Sequence, residues 1–128
     1  MQKPVYFDNA ATTYPKPPAV YRAADQAMLY AGGNPGRGGH ILARRAGDIV
    51  YRARETAAAM FGAKPENVVF TQNCTHALNL AIHGCLRQGD HVILSSLEHN
   101  SVLRPVAALA ENGIIRYSIA PVSPDINE

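Results

Sequence analysis

The chain has no tryptophan and only two cysteines among its 128 residues. Two thiols cannot staple a chain of this length, so a disulfide scaffold is excluded. No stretch approaches about 18 consecutive apolar residues, so nothing reads as a membrane-spanning helix. The opening MQKPVYFDN lacks a basic-then-apolar leader pattern, and the expected compartment is the cytoplasm. Charge of one sign is scarce as well. Twelve basic and ten acidic side chains leave a formal charge of +2, too mild to argue for nucleic acid. Arg37, Arg44, Arg45, Arg52 and Arg54 do cluster, but Tyr51 alone interleaves them as an aromatic platform. A solvated helix face, or a site for a phosphate or carboxylate, is the simpler reading. What is plentiful is apolar residues. A hydrophobic share of 47% excludes disorder and suffices for one domain core.

Punctuation by proline and glycine organises the chain. Val5-Tyr6-Phe7 reads as extended and Asp8 to Ala11 as turn-prone, and Pro15, Pro17 and Pro18 postpone regular structure until a helix starts near Pro18 and runs to about Leu29. Five glycines between Ala31 and His40 forbid a helix or a regular strand there. From His40 to Phe61, Leu42, Ala46, Ile49, Val50, Ala53, Ala57, Met60 and Phe61 follow the spacing of one buried stripe, with Arg44, Asp48, Arg52 and Glu55 opposite. Gly62 and Pro65 stop that helix.

Three strands are expected, Val68–Thr71, His91–Ser95 and Ile114–Ile119, the second of them buried. Between them come helices over Thr75–Leu86, with Leu78, Ala81, Ile82, Cys85 and Leu86 inward, and over Ser101–Ala110, ended by Asn112-Gly113. The alternation of strand and helix argues for an α/β layered fold.

Two junctions offer chemistry. At Phe70-Thr71-Gln72-Asn73-Cys74-Thr75-His76 a strand turns into a helix, and the open N–H groups of such a helix start attract an anion. Asn73 tolerates the left-handed conformation a tight turn requires. The Thr75 hydroxyl suits either a helix cap or a phosphate oxygen. The second junction, Ser95 to Ser101, follows the next strand, and ligands of α/β sheets sit beyond the carboxyl ends of strands. His99 there is suited to stack on a planar ring or to move a proton. It reads equally as a surface histidine beside the helix cap Ser101. A zinc site is disfavoured. His76 and His83 stand seven positions apart, about 10.5 Å along a helix, whereas zinc ligands lie about 2 Å from the metal.

Four segments in order carry a family resemblance. Phe70 to Leu80 resembles the phosphate-binding segment of class V aminotransferases and cysteine desulfurases. Tyr6 to Thr13 resembles the opening motif of that family, Asn34 to His40 its Gly-rich active-site loop, and Glu98-His99-Asn100-Ser101 the segment whose histidine stacks on the pyridine ring of pyridoxal phosphate. Asn73 stands where many relatives have Gly, and His76 where many have Glu.

The resemblance implies that residues 1–128 form one incomplete portion of the large pyridoxal-phosphate-binding domain, helices packed on a short sheet. An arm, a helix and the Gly-rich loop would occupy 1–40, with a helix and strand–helix repeats over 41–128. Cys74 and Thr75 would bind the cofactor phosphate, His99 would stack on the ring, and Asn34 and His40 would lie near the substrate end or a dimer contact. The parent reaction would take sulfur from L-cysteine and leave alanine.

The family's cofactor-linking lysine, its ring-nitrogen aspartate, its carboxylate-binding arginine and its sulfur-accepting cysteine have no counterpart here. Lys3, Lys16 and Lys64 do not resemble that lysine, and Cys85 reads as an inert core thiol. The chain by itself is therefore expected to be inactive, with weak or no cofactor binding. The resemblance also separates the first strand from the other two, and unpaired edges favour a homo-oligomer assembled by segment exchange. The other reading is a non-enzymatic module that self-associates and binds phosphate weakly.

Overall fold

A computed structural model describes residues 5–123. The elements are α1 (Pro18–Tyr30), α2 (Ile41–Phe61), a single 3-10 turn (Pro65–Asn67), α3 (Cys74–Cys85), β1 (His91–Ser95), α4 (Asn100–Glu111) and β2 (Arg116–Ala120). The result is an α/β chain of helices and one short sheet. It divides into two compact units, Met1–Val69 and Phe70–Glu128.

In the first unit, α1 starts with Pro18 at its first position, where a missing N–H costs nothing. The arm before it folds on itself. The Tyr6 hydroxyl donates to the carbonyls of Asp8 and Thr12, both at 3.0 Å, and its ring meets Tyr14 edge-on at 5.6 Å. α2 buries Ala43, Ala46 and Ala58. The larger members of its expected stripe stay out: Met60 is 77% exposed and Phe61 81%. The stripe is therefore helical as expected but largely uncovered. Arg45, from the basic cluster, donates to the carbonyl of Tyr30 at 3.5 Å, placing a cation at the negative end of α1.

In the second unit, β1 and β2 pair in parallel, His91 opposite Arg116 through Ser95 opposite Ala120. Parallel neighbours need a crossover, and α4 supplies it. α4 ends where Gly113 takes a φ of 68°, a conformation that suits glycine. Ile114 N–H then reaches back to Leu109 carbonyl at 3.0 Å and closes the helix end. The core is Leu94, Val106 and Ile115, with Ile82 of α3 and Leu86 just after it packed against it.

Three expectations are corrected. Val68–Thr71 pairs with no strand among the described residues. Val68 is extended (φ −97°, ψ 122°), yet Val69 is 69% exposed, and an extended segment without a ladder partner is not a strand. β1 is not a buried strand. Only Leu94 is buried, and Ile93 is 69% exposed, because helices cover one face of this sheet whereas a parallel sheet is normally covered on both. Cys85 is exposed, not a core thiol. α3 lies mainly against α4, and of its expected inward stripe Leu78, Ile82 and Leu86 are partly buried whereas Ala81 and Cys85 are exposed. Among the described residues, no helix is long and apolar enough to cross a membrane.

Candidate functional site

The start of α3 is built by Asn73. Its side chain accepts the His76 N–H at 2.8 Å, and its carbonyl accepts the Ala77 N–H at 3.2 Å. Asn73 is thus the N-cap, in extended backbone (φ −165°, ψ 171°), so the turn makes no use of the left-handed form that asparagine tolerates. The Thr71 hydroxyl steadies the turn by donating to the Asn73 carbonyl at 2.9 Å. This division of labour frees two things. The Thr75 hydroxyl is not needed as a cap. The N–H groups of Cys74 and Thr75, the first two of the helix, precede any intrahelical acceptor and stand at its positive end.

The start of α4 is capped by His99 itself. Its Nδ1 accepts the Ser101 N–H at 3.1 Å, and the Ser101 hydroxyl lies 2.9 Å from the same nitrogen. The expectation that Ser101 caps this helix is therefore corrected. Ser101 sits inside the first turn and is 8% exposed. The Ser95 hydroxyl donates to Glu98 at 2.9 Å, fastening the end of β1 to this turn.

The two starts share a cleft of about 480 Å³. Thr75, Asn79 and His83, every fourth residue, line it from α3, and His99, Ser101 and Arg104 line it from the α4 side. Among the described residues, no carboxylate lines it. Hydroxyl, imidazole and guanidinium donors beside a helix start match the chemistry of an anionic ligand that also carries a flat ring. Cys74 is exposed at the first position of α3 and is not among the residues lining the cleft.

Asn34 and His40 belong to the first unit. Asn34 Oδ1 accepts the Gly36 N–H at 2.8 Å, and His40 caps α2 by accepting the Ala43 N–H at 3.3 Å on Nδ1. Both histidines singled out from the sequence are therefore helix N-caps. Sequence reasoning missed this because Ser, Thr, Asp and Asn are the usual caps. The available signal was position, since each stands directly before a helical run. Arg104 was also missed. A lone arginine at a helical spacing resembles any solvated residue until the facing helix is in place.

The comparisons with known proteins agree with this architecture. A family model described as aminotransferase class-V matches residues 5–127. A selenocysteine lyase of Rattus norvegicus is 34% identical, the match covering 93% of this chain and 32% of that protein. A cysteine desulfurase of Photobacterium profundum is 35% identical, covering 99% of this chain and 32% of its own. The apo structure of a cysteine desulfurase from Thermococcus onnurineus superposes with a TM-score of 0.79 at 33% identity, over 90% of this chain and 29% of that one. The chain thus spans about a third of the length of the curated relatives it matches. On the match across 5–127, this chain belongs to the class V aminotransferase family.

Proposed function

We propose that residues 1–128 act as one portion of the large domain of a pyridoxal-phosphate enzyme that removes sulfur from L-cysteine and leaves alanine. The observation that carries this reading is that Thr75 and His99, from two separate motifs, line one cleft at the starts of α3 and α4. The Thr75 hydroxyl and the N–H groups of Cys74 and Thr75 would hold the cofactor phosphate, and His99 would lie against its ring. The donor set fits: an unneeded hydroxyl, open helix-start N–H groups and, among the described residues, no lining carboxylate. Pyridoxal phosphate, when bound, supplies an electron sink for bonds at an amino acid's α-carbon. This chain's part is to bind, to orient and to place an imidazole. Asn34 and His40 are proposed for the substrate end or a subunit contact. Two free thiols support a reducing, cytoplasmic setting.

Titration with pyridoxal phosphate, followed by absorbance, tests the cofactor site. Thr75→Ala is expected to weaken binding roughly tenfold, the cost of one hydrogen bond to a charged group. Equal affinity in the variant would move the phosphate elsewhere.

The 128-residue chain by itself is expected to release neither sulfide nor alanine from cysteine above the rate of free cofactor. Covalent carbonyl chemistry needs a positioned amine. Lys16 instead donates to the Thr12 hydroxyl at 3.3 Å and the Thr13 carbonyl at 3.1 Å, and Lys64 precedes the 3-10 turn. Lys3 lies outside the described residues. Turnover above the free-cofactor rate, abolished by one substitution in this chain, would overturn the expectation.

Self-association is the third element of the proposal. Exposed Phe61, Met60, Ile93 and Leu97, each more than two-thirds exposed, support it, as do the open edges of a two-stranded sheet. Exchange of segments, with the Gly32–Gly39 loop as hinge, is the route we favour. Light scattering is expected to give a mass above that of the 13.8 kDa chain. A monomer across micromolar concentrations would exclude it. The same exposed faces favour, as a second reading, a non-enzymatic module that associates and binds phosphate weakly.

A further inference from the structure

We infer that Ser101 is a positioning residue that holds His99 in a single tautomer, with its proton on Nε2. The backbone N–H of Ser101 points at Nδ1 of His99 at 3.1 Å. A nitrogen that accepts an N–H carries a lone pair and no proton. The Ser101 hydroxyl, 2.9 Å from the same Nδ1, must then be the donor of that second contact. Two donors on one residue thus converge on one ring nitrogen, and a neutral imidazole so engaged has its proton on Nε2.

The arrangement is well anchored. Ser101 is 8% exposed, in the first turn of α4, and His99 is the extended N-cap (φ −73°, ψ 153°). The ring is therefore oriented by the helix start and not by a ligand. Its remaining nitrogen, Nε2, takes no part in the cap and is a donor.

The consequence for the cleft rests on the function proposed above. While the cap stands, His99 accepts no proton at Nε2, because one is already there. It offers a hydrogen bond to an acceptor on whatever lies in the cleft. Of the two roles open to this imidazole, stacking or moving a proton, the cap is compatible with stacking and donation and excludes uptake at the free edge. A ligand with an acceptor near the ring edge is favoured over one with a donor there.

Two-bond proton–nitrogen correlation spectra of the ligand-free chain, recorded at roughly pH 8.5 above the ordinary imidazole range, read the tautomer directly. Exposed His76 and His83 serve as references in the same spectrum. The ratio of Nε2–H to Nδ1–H forms at His99 is expected to exceed theirs by roughly tenfold or more, as two donors sharing the single Nδ1 lone pair require. Ser101→Ala keeps the backbone donor and is expected to lower the ratio roughly two- to tenfold. Ser101→Thr, which keeps the hydroxyl, is expected to restore it. A purely steric role for Ser101 would leave the ratio unmoved by Ser101→Ala, and that result would overturn the inference.

A wild-type ratio equal to that of His76 and His83 would overturn it without any variant, so it stays testable where Ser101→Ala fails to fold. The spectra need no cofactor. A fixed tautomer in a chain that shows no pyridoxal-phosphate binding even at roughly millimolar cofactor would remove Thr75 and His99 as a cofactor site formed by this chain alone and leave the positioning role standing. A free tautomer in a chain that binds it would do the reverse.

Discussion

Leu94→Ala is expected to unfold the Phe70–Glu128 unit or bring it close to unfolding. Leu94 is 6% exposed, in a core whose other buried members among the described residues are Val106 and Ile115. Truncating a buried leucine costs about 2–5 kcal/mol, from lost transfer energy and the cavity left behind. A unit of this size has little to spare, since small cores supply only about 3–5 kcal/mol. Ile93, its neighbour on the opposite face of β1, is 69% exposed, and at concentrations low enough to keep the chain unassociated Ile93→Ala is expected to change stability by less than about 0.5 kcal/mol. Urea melts followed by far-UV circular dichroism separate the two. Equal midpoints for both variants would show that the sheet is not packed through its Leu94 face.

Gly33→Ala is expected to dislodge the Gly-rich loop from the start of α2. A Cβ at Gly33 would stand 2.6 Å from Ala43 N, 2.6 Å from the Leu42 carbonyl carbon and 2.9 Å from the Leu42 oxygen. All three are backbone atoms of the first turn of α2, so no rotamer change relieves the clash. Overpacking of this kind costs about 1–3 kcal/mol, and the His40 cap on Ala43 N–H lies directly in the displaced region. Gly39→Ala is the control, since a Cβ there meets nothing within 4 Å. Amide exchange at Ala43 and Arg44 is expected to accelerate in the first variant and not in the second. Unchanged protection in Gly33→Ala would mean that loop and helix do not pack as described.

Local patterns were legible where the cause is local. Proline and glycine placed the ends of α1, α2 and α4 to within a residue or two, because they act on their own backbone. The anion-friendly helix start at Cys74 followed from a turn after an apolar run, and the order of motifs was enough to suggest the family. The caps were harder. The sequence points to Asn73 as a turn residue and to Thr75 as a cap or a phosphate ligand, whereas the folded backbone makes Asn73 the cap and leaves the Thr75 hydroxyl unneeded there.

Burial was the property that the amino-acid pattern alone decided least. The spacing of Leu42 through Phe61 determines a helix with one apolar face, and that face exists. Whether anything lies against it depends on partners distant in sequence, so Met60 and Phe61 are apolar, correctly spaced and exposed. The same holds for Val68–Thr71, whose composition favours an extended chain but cannot supply the neighbour that a strand requires, and for Cys85, which stays exposed while Ile82 on the same stripe reaches the core. The rule that ligands sit beyond strand ends already points His99 and the Thr71–Thr75 turn at one crevice; the tertiary structure places Thr75 and His99 on one cleft, adds Arg104 to it, and turns His99 so that Ser101 holds its Nδ1. Helix periodicity and turn chemistry are set by interactions within a few residues, whereas burial, strand pairing and a shared cleft are set by contacts between elements that only the folded chain brings together.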